Sequence, residues 1–131
     1  MGKPAAKKGD KVAGLDTHIV MVSTPAGPMP TPTPMPFNGT VSGGLSADVL
    51  IEKKPAATKG STAENSPEHI PAGGSFQKTP SNKATIKQGS KKVLINKKEA
   101  ARAGDSADTC NDPADAPNGT VIAAGTVLMG D

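Results

Sequence analysis

The amino-acid sequence predicts a small all-β domain of short strands and β-hairpins, loop-rich and organised by an internal repeat with pseudo-threefold symmetry. Three observations predict it. Brief β-branched runs recur between Gly and Pro punctuation; one eight-residue motif occurs three times; and the chain's two histidines and single cysteine follow the three copies at matching places.

The strands come first. Ile19-Val20-Met21-Val22, Val49-Leu50-Ile51, Val93-Leu94-Ile95 and Val121-Ile122 are short apolar runs bounded by turn-forming residues, the pattern of many brief strands. With 131 residues the chain has room for one compact domain, taken here as residues 1–131. Gly 15 and Pro 13 are numerous, two residues are aromatic, and Trp and Tyr are absent, so the apolar volume for a thick two-layer core is lacking. Such a composition also suits an unfolded chain, but ordered apolar runs distinguish this sequence from a tail.

The repeat is the most informative feature. Lys3-Pro4-Ala5-Ala6-Lys7-Lys8-Gly9-Asp10 returns as Lys54-Pro55-Ala56-Ala57-Thr58-Lys59-Gly60-Ser61 and as Lys98-Glu99-Ala100-Ala101-Arg102-Ala103-Gly104-Asp105. The motifs thus span residues 3–10, 54–61 and 98–105. Upstream of the later two, Val49 to Lys54 aligns with Val93 to Lys98 at the same offset of 44 residues. Each unit is expected to be a strand, a tight turn at Lys-(Pro/Glu)-Ala-Ala, a second strand through the Gly-Asp or Gly-Ser, and a ligand-bearing loop. The pairs Ala5-Ala6, Ala56-Ala57 and Ala100-Ala101 fit where three copies crowd together. Gly9, Gly60 and Gly104 supply the positive φ that a turn demands.

His18 stands nine residues after Gly9, His69 nine after Gly60, and Cys110 six after Gly104. Alone, each reads as an ordinary polar residue or a buried thiol. Three metal-ligand residue types in register point instead to convergence on the pseudo-threefold axis around one ion per chain. Mixed nitrogen and sulfur ligation suits zinc ahead of iron. A small core also needs such a supplement, because metal binding contributes folding free energy.

Between the first two copies, residues 24–37 form a Pro-rich insertion, expected as extended polyproline-like chain because proline cannot donate to a ladder. It lies within Thr17 to Ala47, which holds no Asp, Glu, Lys or Arg, so it is expected to pack on the domain or a partner. Asn38-Gly39 and Asn118-Gly119 read as turns. Lys78 to Arg102 carries eight basic residues against Glu99, followed by Asp105, Asp108, Asp112, Asp115 and Asp131. Without interleaved aromatics to stack bases, the basic stretch reads as a solvated face or a contact for an anionic protein, not as a nucleic-acid site. One cysteine excludes an internal disulfide. No apolar run reaches membrane-spanning length and the N-terminus lacks a signal-peptide core, so synthesis in the cytosol is expected.

Pro4-Ala5-Ala6-Lys7, Pro55-Ala56-Ala57-Thr58 and Glu99-Ala100-Ala101-Arg102, with Pro34-Met35-Pro36-Phe37-Asn38-Gly39 and Ser46 to Ile51, resemble the PAAR-repeat proteins, in particular the PAAR-like group with a Pro-rich insertion. The resemblance implies a cone with a metal-pinned apex that sits on the blunt end of a trimeric β-helical spike of the VgrG type. It implies a non-enzymatic tip of a contractile injection apparatus, whether type VI secretion or a related extracellular or phage-like system. Such a tip is a monomer by itself, one per spike trimer, touching the target membrane transiently and helping to deliver effector proteins. The family completes four ligands with His and Cys, whereas this chain offers three; water, an Asp such as Asp108 or a backbone group is left for the fourth.

The sequence also admits two other classes. A small metal-dependent hydrolase would use the His18, His69 and Cys110 ion as Lewis acid, but no motif places a general base. A Pro-rich adaptor would use the uncharged insertion as a ligand for a partner.

Overall fold

The structure is a computed structural model and describes residues 2–71 and 73–130; Met1, Ala72 and Asp131, the last of the acids counted above, lie outside it. Thirteen strands occur in the order β1 (Lys3–Pro4), β2 (Lys11–Thr24), β3 (Gly27–Gly43), β4 (Leu50–Ile51), β5 (Lys54–Pro55), β6 (Thr62–Asn65), β7 (Gly74–Phe76), β8 (Lys83–Ile86), β9 (Leu94–Ile95), β10 (Lys98–Glu99), β11 (Ser106–Thr109), β12 (Ala116–Ile122) and β13 (Leu128–Met129). No helix occurs among the described residues, so the all-β class read from the sequence holds.

At one end lie three two-stranded pairs, β4 with β5, β9 with β10, and β1 with β13. The first two are hairpins whose tight turns are Glu52-Lys53 and Asn96-Lys97, all four residues at positive φ (50°, 70°, 51° and 67°). The third has no turn, because the C-terminal strand returns to pair Lys3 with Met129 and Pro4 with Leu128. Val127-Leu128-Met129 thereby fills the place that Val49-Leu50-Ile51 and Val93-Leu94-Ile95 hold in the other units: Ala5, Ala56 and Ala100 donate to the carbonyls of Val127, Val49 and Val93 at 2.9, 3.0 and 3.0 Å.

The pseudo-threefold relation is carried by a cyclic set of main-chain hydrogen bonds. The N–H of Ala6 donates to the carbonyl of Ala101 (3.0 Å), that of Ala101 to Ala57 (3.1 Å), and that of Ala57 to Ala6 (3.0 Å). Three backbones that close leave room for methyl groups only, and all six alanines of the pairs are buried. Directly after them the chain turns at Gly9, Gly60 and Gly104, with φ of +93°, +98° and +89°. The residues after these glycines cap the turns from their side chains: Asp10, Ser61 and Asp105 accept from the N–H of Lys7, Thr58 and Arg102 at 2.9, 2.9 and 2.7 Å.

Each turn launches a strand into one closed ring, β2-β3-β6-β8-β11-β12 and back to β2. Inward positions alternate with outward ones along these strands. Val12, Phe37, Val41, Ala63, Ala84, Ile86, Ala107 and Val121 fill the interior together with Ala6, Ala57, Ala101 and Cys110. Ala5, Ile51, Ala56, Ile95 and Ala100 form a second cluster beneath, in the hairpin layer.

Three expectations need correction. The Pro-rich insertion packs on the domain as expected, but as a laddered strand and not as polyproline-like chain: Gly27 to Thr40 pairs with β2 without a break in register, from Thr24↔Gly27 to Lys11↔Thr40. Its prolines at 28, 30, 32, 34 and 36 occupy every second position. A strand with one partner keeps its ladder when prolines take the set whose N–H would point away, and β6 pairs with β3 only from Gly39 onward. Asn38-Gly39 and Asn118-Gly119 lie inside β3 and β12 rather than in turns. A Cβ on Gly39 would stand 2.6 Å from Phe37 Cε1, and one on Gly119 2.8 Å from Thr109 Cγ2, so packing selects glycine there. Finally, the tight turns fall at Glu52-Lys53 and Asn96-Lys97, ahead of the Lys-(Pro/Glu)-Ala-Ala segment, because those alanines are committed to the buried ring.

Candidate metal centre

β2, β6 and β11 leave the three glycine turns; two potential ligands lie midway along β2 and the others just beyond the far ends of β6 and β11. On β2, Asp16 and His18 are two residues apart and so share a face. His69 follows β6 in a loop fixed by its N–H donating to Asn82 Oδ1 at 3.0 Å. Cys110 follows β11, its N–H donating to the carbonyl of Lys83 at 3.1 Å. The next residues tie this segment to β2: the N–H of Thr17 donates to Asn111 Oδ1 (2.8 Å) and that of Ile19 to Asp112 Oδ2 (2.9 Å).

The structure therefore brings His18, His69 and Cys110 together and adds a fourth residue. One ligand atom each from Asp16, His18, His69 and Cys110 lie within 4.8 Å of one another. Asp16 is the hub. Its Oδ2 is 3.0 Å from His69 Nε2, 3.4 Å from Cys110 Sγ and 3.9 Å from His18 Nε2, while its Oδ1 accepts from the Thr109 hydroxyl. Cys110 Sγ is 3.7 Å from His18 Nε2. Ligand bonds of about 2.0–2.3 Å around a tetrahedral ion put ligand atoms roughly 3.3–3.8 Å apart, so these separations bracket what the ion requires. Two imidazoles, a thiol and a carboxylate are the donor set of a borderline-soft transition metal. Asp108, the acid suggested by the sequence, is elsewhere, pairing with Thr85 on the sheet.

The surroundings of the ligands fit the same chemistry. His18 Nδ1 is buried without a hydrogen bond and lies 3.7 Å from Asp112 Oδ2. With Nε2 used as the ligand atom, Nδ1 carries the proton and faces that carboxylate, the usual outer partner of a metal-binding histidine. His69 Nδ1 is 3.4 Å from Asn65 Nδ2, and that amide is oriented by the Asn38 N–H and by Asn82 Oδ1. The two phenylalanines, the chain's only aromatic residues, border the ligand rings: Phe76 lies 5.9 Å from His18 and Phe37 6.3 Å from His69, centroid to centroid.

Without an ion the cluster resists charge. Burial, and then the neighbouring His69, hold the His18 imidazole below its ordinary pKa, only partly offset by Asp112 and Asp16. Burial, and then the Asp16 carboxylate, push the Cys110 thiol up to about 11. A bound divalent cation would supply the missing positive charge and hold the sulfur as thiolate. Among the described residues the only ion-pair partners of Asp16 are the two histidines. A buried carboxylate with so little compensation is costly unless a cation joins it.

Access is restricted. Asp16, His18 and Cys110 are buried, and the His69 side chain is 3% exposed, although an open groove bounded by Met35, Pro36, Pro67 and Ile70 runs past it. Four buried candidate ligands would form a closed set, the arrangement of structural rather than catalytic metal sites.

Asp16 escaped the sequence reading because it lies outside the repeat register, and a lone Asp before a long uncharged stretch carries no ligand signal. Its two-residue spacing from His18 on a β-branched run is the signal that could have found it.

Comparison with known proteins gives one positive finding. The family model described as PAAR motif matches residues 35–107, more than half of the chain. The matched span holds the Phe37 end of β3, both hairpins with tight turns, the second alanine pair, the third and His69. No curated protein and no solved structure matches.

Proposed function

Since the chain belongs to the PAAR motif family, we propose that it is a structural tip that caps the trimeric spike of a contractile injection apparatus. The PAAR motif is associated with spike-tip proteins of such systems, and the family is structural rather than catalytic. The observation that carries the proposal for this chain is the ring of Ala6, Ala57 and Ala101. One polypeptide has built a threefold platform from three similar units, which is what the end of a homotrimer can accept from a single copy.

A trimeric β-helix ends in three sets of unpaired strand groups, and one chain with three equivalent two-stranded pairs offers a partner to each. At the opposite end Asp16, His18, His69 and Cys110 would hold the ion, zinc rather than iron by their donor set, and cross-link β2 with the segments after β6 and β11. The protein would ride the apparatus out of the producing cell, contact the target membrane transiently, and assist the passage of effectors. The closed ligand set supports this reading over a metal-dependent hydrolase, which needs an open coordination position.

Native mass spectrometry of the metal-loaded chain mixed with a trimeric β-helical spike protein from the same organism is the test. The expected complex is one tip per spike trimer. Three tips per trimer, or no complex with the metal-loaded chain, would defeat the proposal.

A further inference from the structure

The hairpin layer carries a second threefold feature that the metal centre does not explain. Leu50, Leu94 and Leu128 stand at the same place in β4, β9 and β13, each paired with the residue just before an alanine pair: Pro55, Glu99 and Pro4. Their exposures are 60%, 59% and 58%. Single exposed leucines are ordinary on a protein surface, but three at one repeat position, equally exposed and equally spaced around an axis, are a pattern. Their strand neighbours Ile51 and Ile95 are buried in the cluster beneath, so the layer is already anchored and the leucines add nothing to its core.

Charge accompanies them. Lys3, Lys54 and Lys98 occupy the next equivalent position and are exposed, and Lys53 and Lys97 stand in the two turns. Against these five lysines the three pairs hold two acids, Glu52 and Glu99. Glu52 is already 4.0 Å from Lys7 Nζ, and Glu99 accepts from the Gly89 N–H at 3.2 Å. Among the described residues none of the five lysines pairs with an acid.

We infer that Leu50, Leu94 and Leu128, ringed by Lys3, Lys54 and Lys98, are the anchors of the partner contact, and that the occupant is the end of a trimeric protein offering three apolar pockets inside an acidic rim. The inference rests on the proposed capping function and names the chemistry of the surface that performs it. The division of labour is ordinary for interfaces: apolar anchors that become fully desolvated set the dissociation rate, and rim charges steer association.

The test measures binding of the metal-loaded full chain to a trimeric β-helical spike protein from the same organism. Each of Leu50→Asp, Leu94→Asp and Leu128→Asp is expected to weaken binding by about tenfold, and the triple variant by more than about a hundredfold. Leu15→Asp is the control, since Leu15 is also 58% exposed but lies on β2 away from the hairpin layer; its binding is expected to stay within about threefold. Lys3→Glu, Lys54→Glu and Lys98→Glu together should slow association and flatten its dependence on salt. Should the aspartates disturb folding, a photo-crosslinking residue placed singly at 50, 94, 128 or 15 gives a second readout, with cross-links to the spike expected from the first three only. If the parent chain binds and the triple leucine variant binds equally, or cross-links arise from position 15 alone, the leucine surface is refuted while capping stands. If the parent chain itself fails to bind, the capping function falls and takes the surface with it.

Discussion

Replacing Ala57 with leucine tests whether the threefold ring is as tight as its hydrogen bonds indicate. Ala57 is fully buried, its N–H and C=O are both used within the ring at 3.0 and 3.1 Å, and its methyl faces the interior shared with Ala6 and Ala101. Leucine adds three carbons at a place where the main chain cannot retreat without lengthening two of the three ring bonds. Overpacking costs about 1–3 kcal/mol, and each of the two weakened hydrogen bonds about 1 kcal/mol more, so a loss of roughly 3–5 kcal/mol is expected. At about 2.1 cal/mol/K per residue the unfolding entropy of 131 residues is near 0.28 kcal/mol/K, which converts the loss to a Tm lower by about 11–18 °C. Lys87→Leu is the control, because Lys87 is exposed on the loop after β8 and the change should move Tm by less than about 2 °C. Thermal unfolding followed by circular dichroism, with excess metal and again with chelator, provides both numbers. An Ala57→Leu protein that melts within 2 °C of the parent in both conditions would show that the ring has slack and that alanine there is not a packing requirement.

Two glycines separate backbone strain from steric exclusion. Gly60 has φ +98° with nothing within 4 Å of an added Cβ, so Gly60→Ala should cost about 1–2 kcal/mol from its dihedral alone. Gly39 has no positive φ but would set a Cβ 2.6 Å from Phe37 Cε1, so a Phe37→Leu background should lessen the cost of Gly39→Ala and leave that of Gly60→Ala unchanged. Elemental analysis is expected to find one transition metal per chain, and chelation should lower Tm; Asp16→Asn should weaken metal binding by about 60- to 700-fold, a quarter of a typical structural-zinc free energy being about 2.5–4 kcal/mol. The metal-free protein should be most stable between the two shifted titrations. Because the folded His18 pKa is lowered, stability present above the unfolded value near 6.5 is lost as pH falls below it; because the folded Cys110 pKa is raised to about 11, stability present below the unfolded value of 9.0 is lost as pH rises from there toward 11. A chemical-denaturation series across pH checks both flanks, and His18→Gln and Cys110→Ser should each flatten one of them.

Much was legible in the sequence because identical local demands were written three times. A glycine at positive φ and a pair of alanines at a crowded axis are requirements of the backbone itself, so they recur as residue types at constant spacing, and His18, His69 and Cys110 inherit that register. Asp16 has no counterpart in the other two repeats and became recognisable only when β2 placed it two residues from His18 on one face. The Pro-rich insertion was misread for a related reason: whether a proline interrupts a ladder depends on which side of its strand has a partner, and β3 has β2 on one side only until Gly39.

The sequence by itself determined the all-β class, the three glycine turns, the alanine ring positions and three of the four residues that meet in the candidate metal centre, since each follows from local geometry or from residue chemistry. The tertiary structure decided the rest. It returned Val127 to Met129 to the first repeat, completing by contact between the chain's two ends a unit that the linear order leaves divided. It made Asp16 a neighbour of Cys110 across 94 positions, and it set Leu50, Leu94 and Leu128 on one layer. These are relations between distant segments, fixed by ring closure and burial, and no local preference encodes them.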